Sequence, residues 1–303
     1  MSKSLPDGRE GGLSRSSGGV AVPTDVSSLA ASLAEKPRFT EVLESYCTEM
    51  TRPPDVSWPT NKLFGQSMRY IVCFDLIGNH ARWLRDGAEP PTLTALQRKV
   101  PASARQVASF VDALRHGGYV IAGRGADRRS LHLRPSSALL HEIARSPLAF
   151  LNASERILPA SASLVGRIHD DEVLLCDLLG RSAERFHADD VYFAPFPTIV
   201  QFAERDSGYP LLAAVMGASY AAQSGSTPFT LPLTYAALAE RFRVSRQHVG
   251  NLLIEARQRG WFSVAQGGQS VVVSADLVRE FEGWAARQMA LYRVIAEEVA
   301  SAD

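Results

Sequence analysis

Three cysteines in 303 residues, Cys47, Cys73 and Cys176, are too few and too far apart for a disulfide ladder or a Cys-x-x-Cys metal clasp. Their apolar surroundings mark them as small buried hydrophobes. Net charge is lacking too. The 32 Lys and Arg balance 32 Asp and Glu, which excludes a uniformly basic, histone-like coat and leaves local basic patches open. The longest apolar run, Tyr209–Ala222, is interrupted by Pro210, Gly217 and Ser219 and falls short of the ~18–20 residues that span a bilayer. Its N-terminal residues, Met-Ser-Lys-Ser-Leu-Pro-Asp-Gly-Arg-Glu, hold no unbroken apolar stretch of the secretory kind. A cytoplasmic protein with no membrane partner is expected. No Gly-x-x-x-x-Gly-Lys-Ser/Thr loop, Gly-x-Ser-x-Gly elbow or His-Glu-x-x-His helix occurs, so neither an enzyme nor a cofactor is expected.

Core-forming material is present. With 46% hydrophobic and 21% charged residues the chain has a globular balance, and its length suggests two domains. Residues 1–22 are Ser/Gly-rich and cannot repay the entropy of ordering, so a flexible tail is expected there. Thr24 and Asp25 suit the cap of a short helix over 26–36. Phe39–Met50 reads as a helix with Leu43, Tyr46, Cys47 and Met50 on one face, ended by Arg52-Pro-Pro-Asp55. After Trp58-Pro59, the apolar stretch Phe64–Trp83 reads as a central packed helix.

The most informative pattern starts at Thr92. Leu93, Leu96 and Val100 share one helical face, Pro101-Ala102 makes a turn, and Ser103 suits the cap of a second helix running to about His116. In that helix Val107, Phe110, Val111 and Leu114 fall at i, i+3, i+4 and i+7, and Gly117-Gly118 stops it. Tyr119–Ala122 and Leu131–Arg134 read as a strand pair around a polar loop, followed by a helix from about Ser136 to Arg145. The same order returns later. Thr234–Phe242, a turn, and a Ser245-capped helix with Val249, Leu252, Leu253 and Ala256 on one face precede Gly260. Strands at Trp261–Val264 and Ser270–Val273 follow, then one or two helices over Ala275–Val299.

Shifting the numbering by 142 lays Thr92 on Thr234, Leu96 on Leu238, Ser103 on Ser245, Val107 on Val249 and Gly118 on Gly260, with 8 identities in the 34 positions from 92 to 125. The matches fall on caps, face residues and stop glycines, where the physics restricts the choice of residue. Upstream, a shift of 139 lays Tyr70 on Tyr209 and Gly78 on Gly217. A tandem duplication is therefore expected, divided as a tail over 1–35 and domains over 36–160 and 161–303.

The segment Val244-Ser-Arg-Gln-His-Val-Gly-Asn-Leu-Leu-Ile-Glu-Ala-Arg-Gln-Arg-Gly-Trp-Phe262 resembles the recognition helix and first wing strand of the MarR, GntR and Crp-type regulators. The copy from Ala102 to Val120 keeps the pattern with a less polar N-terminal face. Helices before and after each unit resemble most the MarR family, whose dimers are built from such helices. The resemblance implies a mainly α protein with small β-wings, in which two tandem winged helix-turn-helix units form an intrachain pseudo-dimer. It also implies a bacterial transcriptional regulator bound to double-stranded DNA, as a monomeric pseudo-dimer or a homodimer. The half-sites it reads need not be identical.

In such units only outward side chains near the N-terminus of the second helix reach base edges. In the second copy these are Ser245, Arg246, Gln247, His248 and Asn251, and in the first Ser103, Arg105, Gln106 and Ser109. Arg124, Arg128 and Arg129 on the first wing suit phosphate or minor-groove contact. Residues 92–135 hold 8 Lys/Arg against 2 Asp/Glu, and residues 231–275 hold 5 against 2, so both readers are basic within a neutral chain. Other readings stand beside these. Winged helices also serve as protein-binding scaffolds, and some replication initiators carry two. His169-Asp-Asp-Glu172 and His187-Ala-Asp-Asp190 suit a metal less well than the acidic first turn of a helix. Trp58, Tyr70, Phe74, Trp83, Phe196, Phe202, Tyr209 and Tyr220 read either as core or as the lining of a small-molecule effector pocket.

Overall fold

The computed structural model describes residues 24–52, 63–124, 131–188, 192–225, 229–265, 267, 268 and 270–302. It is mainly helical with two small antiparallel sheets. The first half runs α1 (Thr24–Ala34), α2 (Phe39–Met50), α3 (Ser67–Asp86), α4 (Leu93–Lys99), α5 (Ala104–His116), β1 (Val120–Arg124), β2 (Leu131–Pro135) and α6 (Ser137–Ile157). The second runs α7 (Leu164–Asp170), α8 (Glu172–Ala188), α9 (Pro197–Ala203), α10 (Gly208–Ser224), α11 (Tyr235–Phe242), α12 (Arg246–Gln258), β3 (Phe262–Val264), β4 (Val271–Val273) and α13 (Ala275–Ser301). The series α3, α4, α5, β1, β2, α6 thus recurs as α10, α11, α12, β3, β4, α13.

Local chemistry sets the starts and stops. Thr92, Ser103 and Ser136 accept the amide hydrogens of Ala95, Gln106 and Leu139, and Thr234, Ser245 and Ser274 accept those of Ala237, His248 and Leu277. Each hydroxyl satisfies one of the amides that a helix start leaves unpaired. After α5 and α12 the chain turns through Gly118 and Gly260, at φ 75° and 71°, a conformation that costs glycine nothing. The strands pair Val120 with Pro135 and Phe262 with Val273 at their inner ends.

Packing crosses between the halves. The helix α2 lies along α10, α8 along α3, and α1 along α13, so each half lends its leading helices to the other's long helix. The crossings are close because small residues face each other. A Cβ on Gly78 would lie 3.0 Å from the Ala183 Cβ, one on Gly180 would collide with Ala81, and one on Gly217 would lie 2.9 Å from the Cys47 Cβ. Gly78 and Gly217, matched by the 139-residue shift, do the same work in both halves. A fork of ion pairs holds α8 to α3: Arg85 meets Asp177 at 2.8 Å and Glu184 at 2.7 Å. Phe150 and Tyr46 stack at 4.1 Å in the centre, with Trp284 and Tyr292 against Phe150.

Two expectations are corrected here. Residues 24–34, counted with the leading tail, form α1, which starts at Thr24 itself and buries Val26 and Leu33 completely. The helix after β2 continues past Arg145 and through Pro147 to Ile157. Of the one or two helices expected over Ala275–Val299, the structure has one, α13. Pro147 has no N–H to offer the Ile143 carbonyl, and the Tyr70 hydroxyl donates to that carbonyl instead, at 3.0 Å. The three cysteines are free and buried; burial pushes the Cys176 thiol up to about 12 and the other two further, so none is a thiolate at neutral pH. No helix among the described residues is long and apolar enough to cross a membrane.

Candidate nucleic-acid interface

The readers named from sequence lie on α5 and α12, and each of these helices has one buried face. Val107, Val111 and Leu114 of α5 are buried, as are Val249, Leu252, Leu253 and Ala256 of α12. On the opposite face Arg105 and Ser109, and Arg246, Gln247 and Asn251, are exposed. The pairs α4–α5 and α11–α12 are braced differently. The Gln97 amide donates to the Ala104 carbonyl at 2.8 Å, closing the first turn. In the second, Arg243 takes a left-handed conformation, φ 56°, that costs a non-glycine residue roughly 1–2 kcal/mol. Tyr235 lies over Gly250, 3.2 Å from where a Cβ would stand, so a larger residue at 250 would lift the ring off α12.

Four of the named residues have structural partners. The hydroxyls of Ser103 and Ser245 are caps. Gln106 completes a capping box: its side-chain oxygen accepts from the Ser103 amide at 3.1 Å and the Ser103 hydroxyl at 2.8 Å, which leaves only its NH2 to face outward. His248 is tied to the scaffold. It is half-buried, and its Nε2 donates to the Asp206 carbonyl at 2.7 Å, anchoring the first turn of α12 to the connection between α9 and α10. The far end of α12 is anchored as well. Glu255 pairs with Arg205 at 3.1 Å and Arg259 at 3.0 Å, and Arg259 lies over the Trp261 ring.

Each wing backs onto the residues ahead of its helix pair. The Leu133 amide donates to the Pro91 carbonyl at 2.7 Å, and Gly268 abuts the Leu233–Thr234 backbone so closely that a Cβ there would be 2.6 Å from the Leu233 carbonyl carbon. Arg124 is exposed at the end of β1; Arg128 and Arg129 lie outside the described residues. Sequence reasoning passed over Arg134 on β2 and Arg243 ahead of α12, both exposed. The signal for Arg243 was its place in the turn of the helix pair, where glycine is the easier residue.

The remaining candidates have structural partners. The Asp171 carboxylate caps α8 through the Val173 and Leu174 amides, at 2.8 and 3.2 Å, as the acidic first-turn reading requires. His187 meets the buried Asp75. Residues 189 and 190 lie outside the described residues, and among the described ones no three His, Cys, Asp or Glu side chains gather as a metal set. The aromatic residues that read either as core or as a pocket lining pack against other rings. Tyr70 stacks on Phe74, Phe202 meets Trp261 and Phe262, Tyr209 meets Trp284, and Tyr220 meets Phe281; Trp58 lies outside the described residues. A cleft of about 360 Å³ does open between α3 and α4, lined by Asn79, Arg82, Glu89, Arg98 and Lys99. Its cations are already paired: Arg82 with Asn79, Arg98 with Glu89 and Lys99 with Asp75.

No family model matches the chain, and no curated protein or solved structure is similar to it. The functional reading therefore rests on the geometry and chemistry of its own residues.

Proposed function

We propose that the chain is a transcriptional regulator that binds double-stranded DNA through two tandem winged helix-turn-helix units, paired within one polypeptide as a pseudo-dimer. One observation carries this reading. In both copies a 13-residue helix buries one face and presents polar side chains from the opposite face of its first turns: Arg105 and Ser109 in α5, and Arg246, Gln247 and Asn251 in α12. Guanidinium and amide groups at the start of such a helix suit the edges of guanine and adenine in a major groove. The copies differ, so the sites read are expected to be imperfect palindromes. The second copy supplies more base-reading groups, and the first carries the larger positive charge, suited to phosphates.

Selection from a random duplex pool across a salt series tests the proposal. Enrichment of a two-part motif, with affinity falling steeply as salt rises, supports it. Arg246→Ala and Gln247→Ala relax selectivity at one half-site, each costing about 1–3 kcal/mol of discrimination, whereas Arg128→Ala with Arg129→Ala weakens all sequences alike. Binding that enriches nothing and ignores salt favours the alternative, a tandem winged-helix scaffold for proteins. Ile254 on α12 and Val272 on β4, 51% and 70% exposed, are the features that favour that alternative.

A further inference from the structure

The last turn of α4 and the last turn of α11 carry cations at matching positions, since the 142-residue shift lays Lys99 on Arg241. Neither points into solvent as a phosphate contact would. The Lys99 ammonium lies 3.3 Å from Oδ1 of Asp75, a carboxylate 1% exposed on α3, and the same oxygen is met by Nε2 of His187 in the last turn of α8. Arg241 Nη1 donates at 2.8 Å to the carbonyl of Thr51, the buried residue that ends α2. Arg145, from α6, donates to the Glu49, Met50 and Arg52 carbonyls at the same helix end, at 3.2, 3.0 and 3.1 Å. In both cases the cation comes from the helix that leads into a reader. Arg241 meets the C-terminal end of α2, lent by the opposite half, directly; Lys99 meets Asp75 of its own half, and that carboxylate is shared with the end of α8, lent by the opposite half. The C-terminus of α2 offers unpaired carbonyls and the negative end of the helix dipole. The α8 end supplies a histidine, and a buried carboxylate mediates.

We infer that Lys99 and Arg241 are equivalent positioning residues, each pinning one helix-turn-helix to the shared helical scaffold where an exchanged helix ends, Arg241 directly on α2 and Lys99 through the Asp75 carboxylate that also holds the end of α8, and so fixing the placement of its reader relative to the second reader. The pins are two different chemistries at one place in the fold. One is an ammonium on a buried carboxylate, and the other a guanidinium on helix-end carbonyls. Two readers can bind one duplex together only if their separation and angle match the helical repeat of the DNA. A pin between each reader and the shared helical scaffold meets that demand. This consequence rests on the DNA-binding reading; the pins themselves do not.

Two measurements on the full-length chain test the inference. The first is amide hydrogen exchange on Lys99→Met and Arg241→Met, which keep the aliphatic stems. Loss of a charged hydrogen bond raises exchange about tenfold or more in the elements it holds. The inference expects that rise over 93–116 in Lys99→Met and over 235–258 in Arg241→Met, with each variant leaving the other unit unchanged, and expects Lys99→Arg and Arg241→Lys to restore protection. A rise spread evenly over the whole chain, or none, overturns it. Should Lys99→Met fail to fold because Asp75 is left underpaired, Asp75→Asn with Lys99→Met removes both charges and is read in the same way. The second measurement uses duplexes enriched by the wild-type protein, with the spacer between half-sites changed one base pair at a time. Wild type is expected to accept one spacing, and the Met variants several, with affinity for an isolated half-site unchanged. Equal spacing selectivity in all proteins overturns the positioning role. If wild type enriches no duplex, the DNA-binding reading fails, and exchange alone decides the pins.

Discussion

Glu142 on α6 is half-buried near the Tyr70 and Tyr119 hydroxyls, and burial raises its pKa above the ordinary 4.5, against the opposing pull of Arg145. A carboxyl whose folded pKa is raised favours the fold below its unfolded pKa and loses that contribution as pH climbs through the folded value. At neutral pH its ionised form therefore works against folding. Glu142→Gln is expected to stabilise the fold at pH 7 and to gain little near pH 4, read as the shift in denaturant midpoint at the two pH values. A destabilised variant at pH 7 would mean that the carboxylate is held by a favourable contact. At this scale the sequence was legible wherever the chemistry is local. Ser103 and Ser245 were named as caps because a cap and its amide sit three residues apart, and both are caps. The anchoring of His248 was not legible, because its partner, the Asp206 carbonyl, lies 42 residues away and leaves no mark on the local pattern. The Lys99–Asp75–His187 cluster was invisible for the same reason.

Among the elements, periodicity placed α2 and α5 to within a residue, since their buried faces repeat cleanly at i, i+3, i+4 and i+7. It failed at α6. Pro147 should end a helix at about the preceding turn, and it would do so here if the Ile143 carbonyl were left without a donor inside the core. Tyr70 supplies that donor from α3 across 73 residues, so tertiary structure overrides the local breaker. This makes a coupled prediction. Tyr70→Phe is expected to cost about 1–1.5 kcal/mol of stability, the value of a buried hydrogen bond whose acceptor is left unmet. In a Pro147→Ala background the restored backbone amide can serve Ile143, and most of that cost should vanish. A double-mutant cycle by chemical denaturation reads the coupling, and additivity of the two changes would show that the hydroxyl and the proline act independently.

For the whole molecule, the recurring order of elements was legible as a fixed register, while the exchange of helices between halves was not. The apolar face of α2, with Phe39, Val42, Leu43, Tyr46, Cys47 and Met50 buried, suits any complementary helix, and nothing in its period says that the complement is α10 rather than a neighbour in its own half. The energetic consequence is large. At ~1.5–3 kcal/mol for each large apolar side chain, the five besides Cys47 contribute roughly 8–15 kcal/mol, comparable to the net stability of a whole domain. Part of that contact is with α6 and survives within the first half, but the contact with α10 does not. The second half loses equally, because α8 packs on α3. A chain cut between Ile157 and Leu164 should therefore yield two pieces that cannot fold as monomers; each stays unfolded or pairs with a second copy of itself. Mixed together, they should assemble one to one and regain the single cooperative transition of the intact protein. Sedimentation of each piece alone and of the mixture, followed by thermal unfolding, decides the matter. A first-half piece that folds stably as a monomer would mean that the exchanged contacts add little, and that the two halves are independent domains which happen to touch.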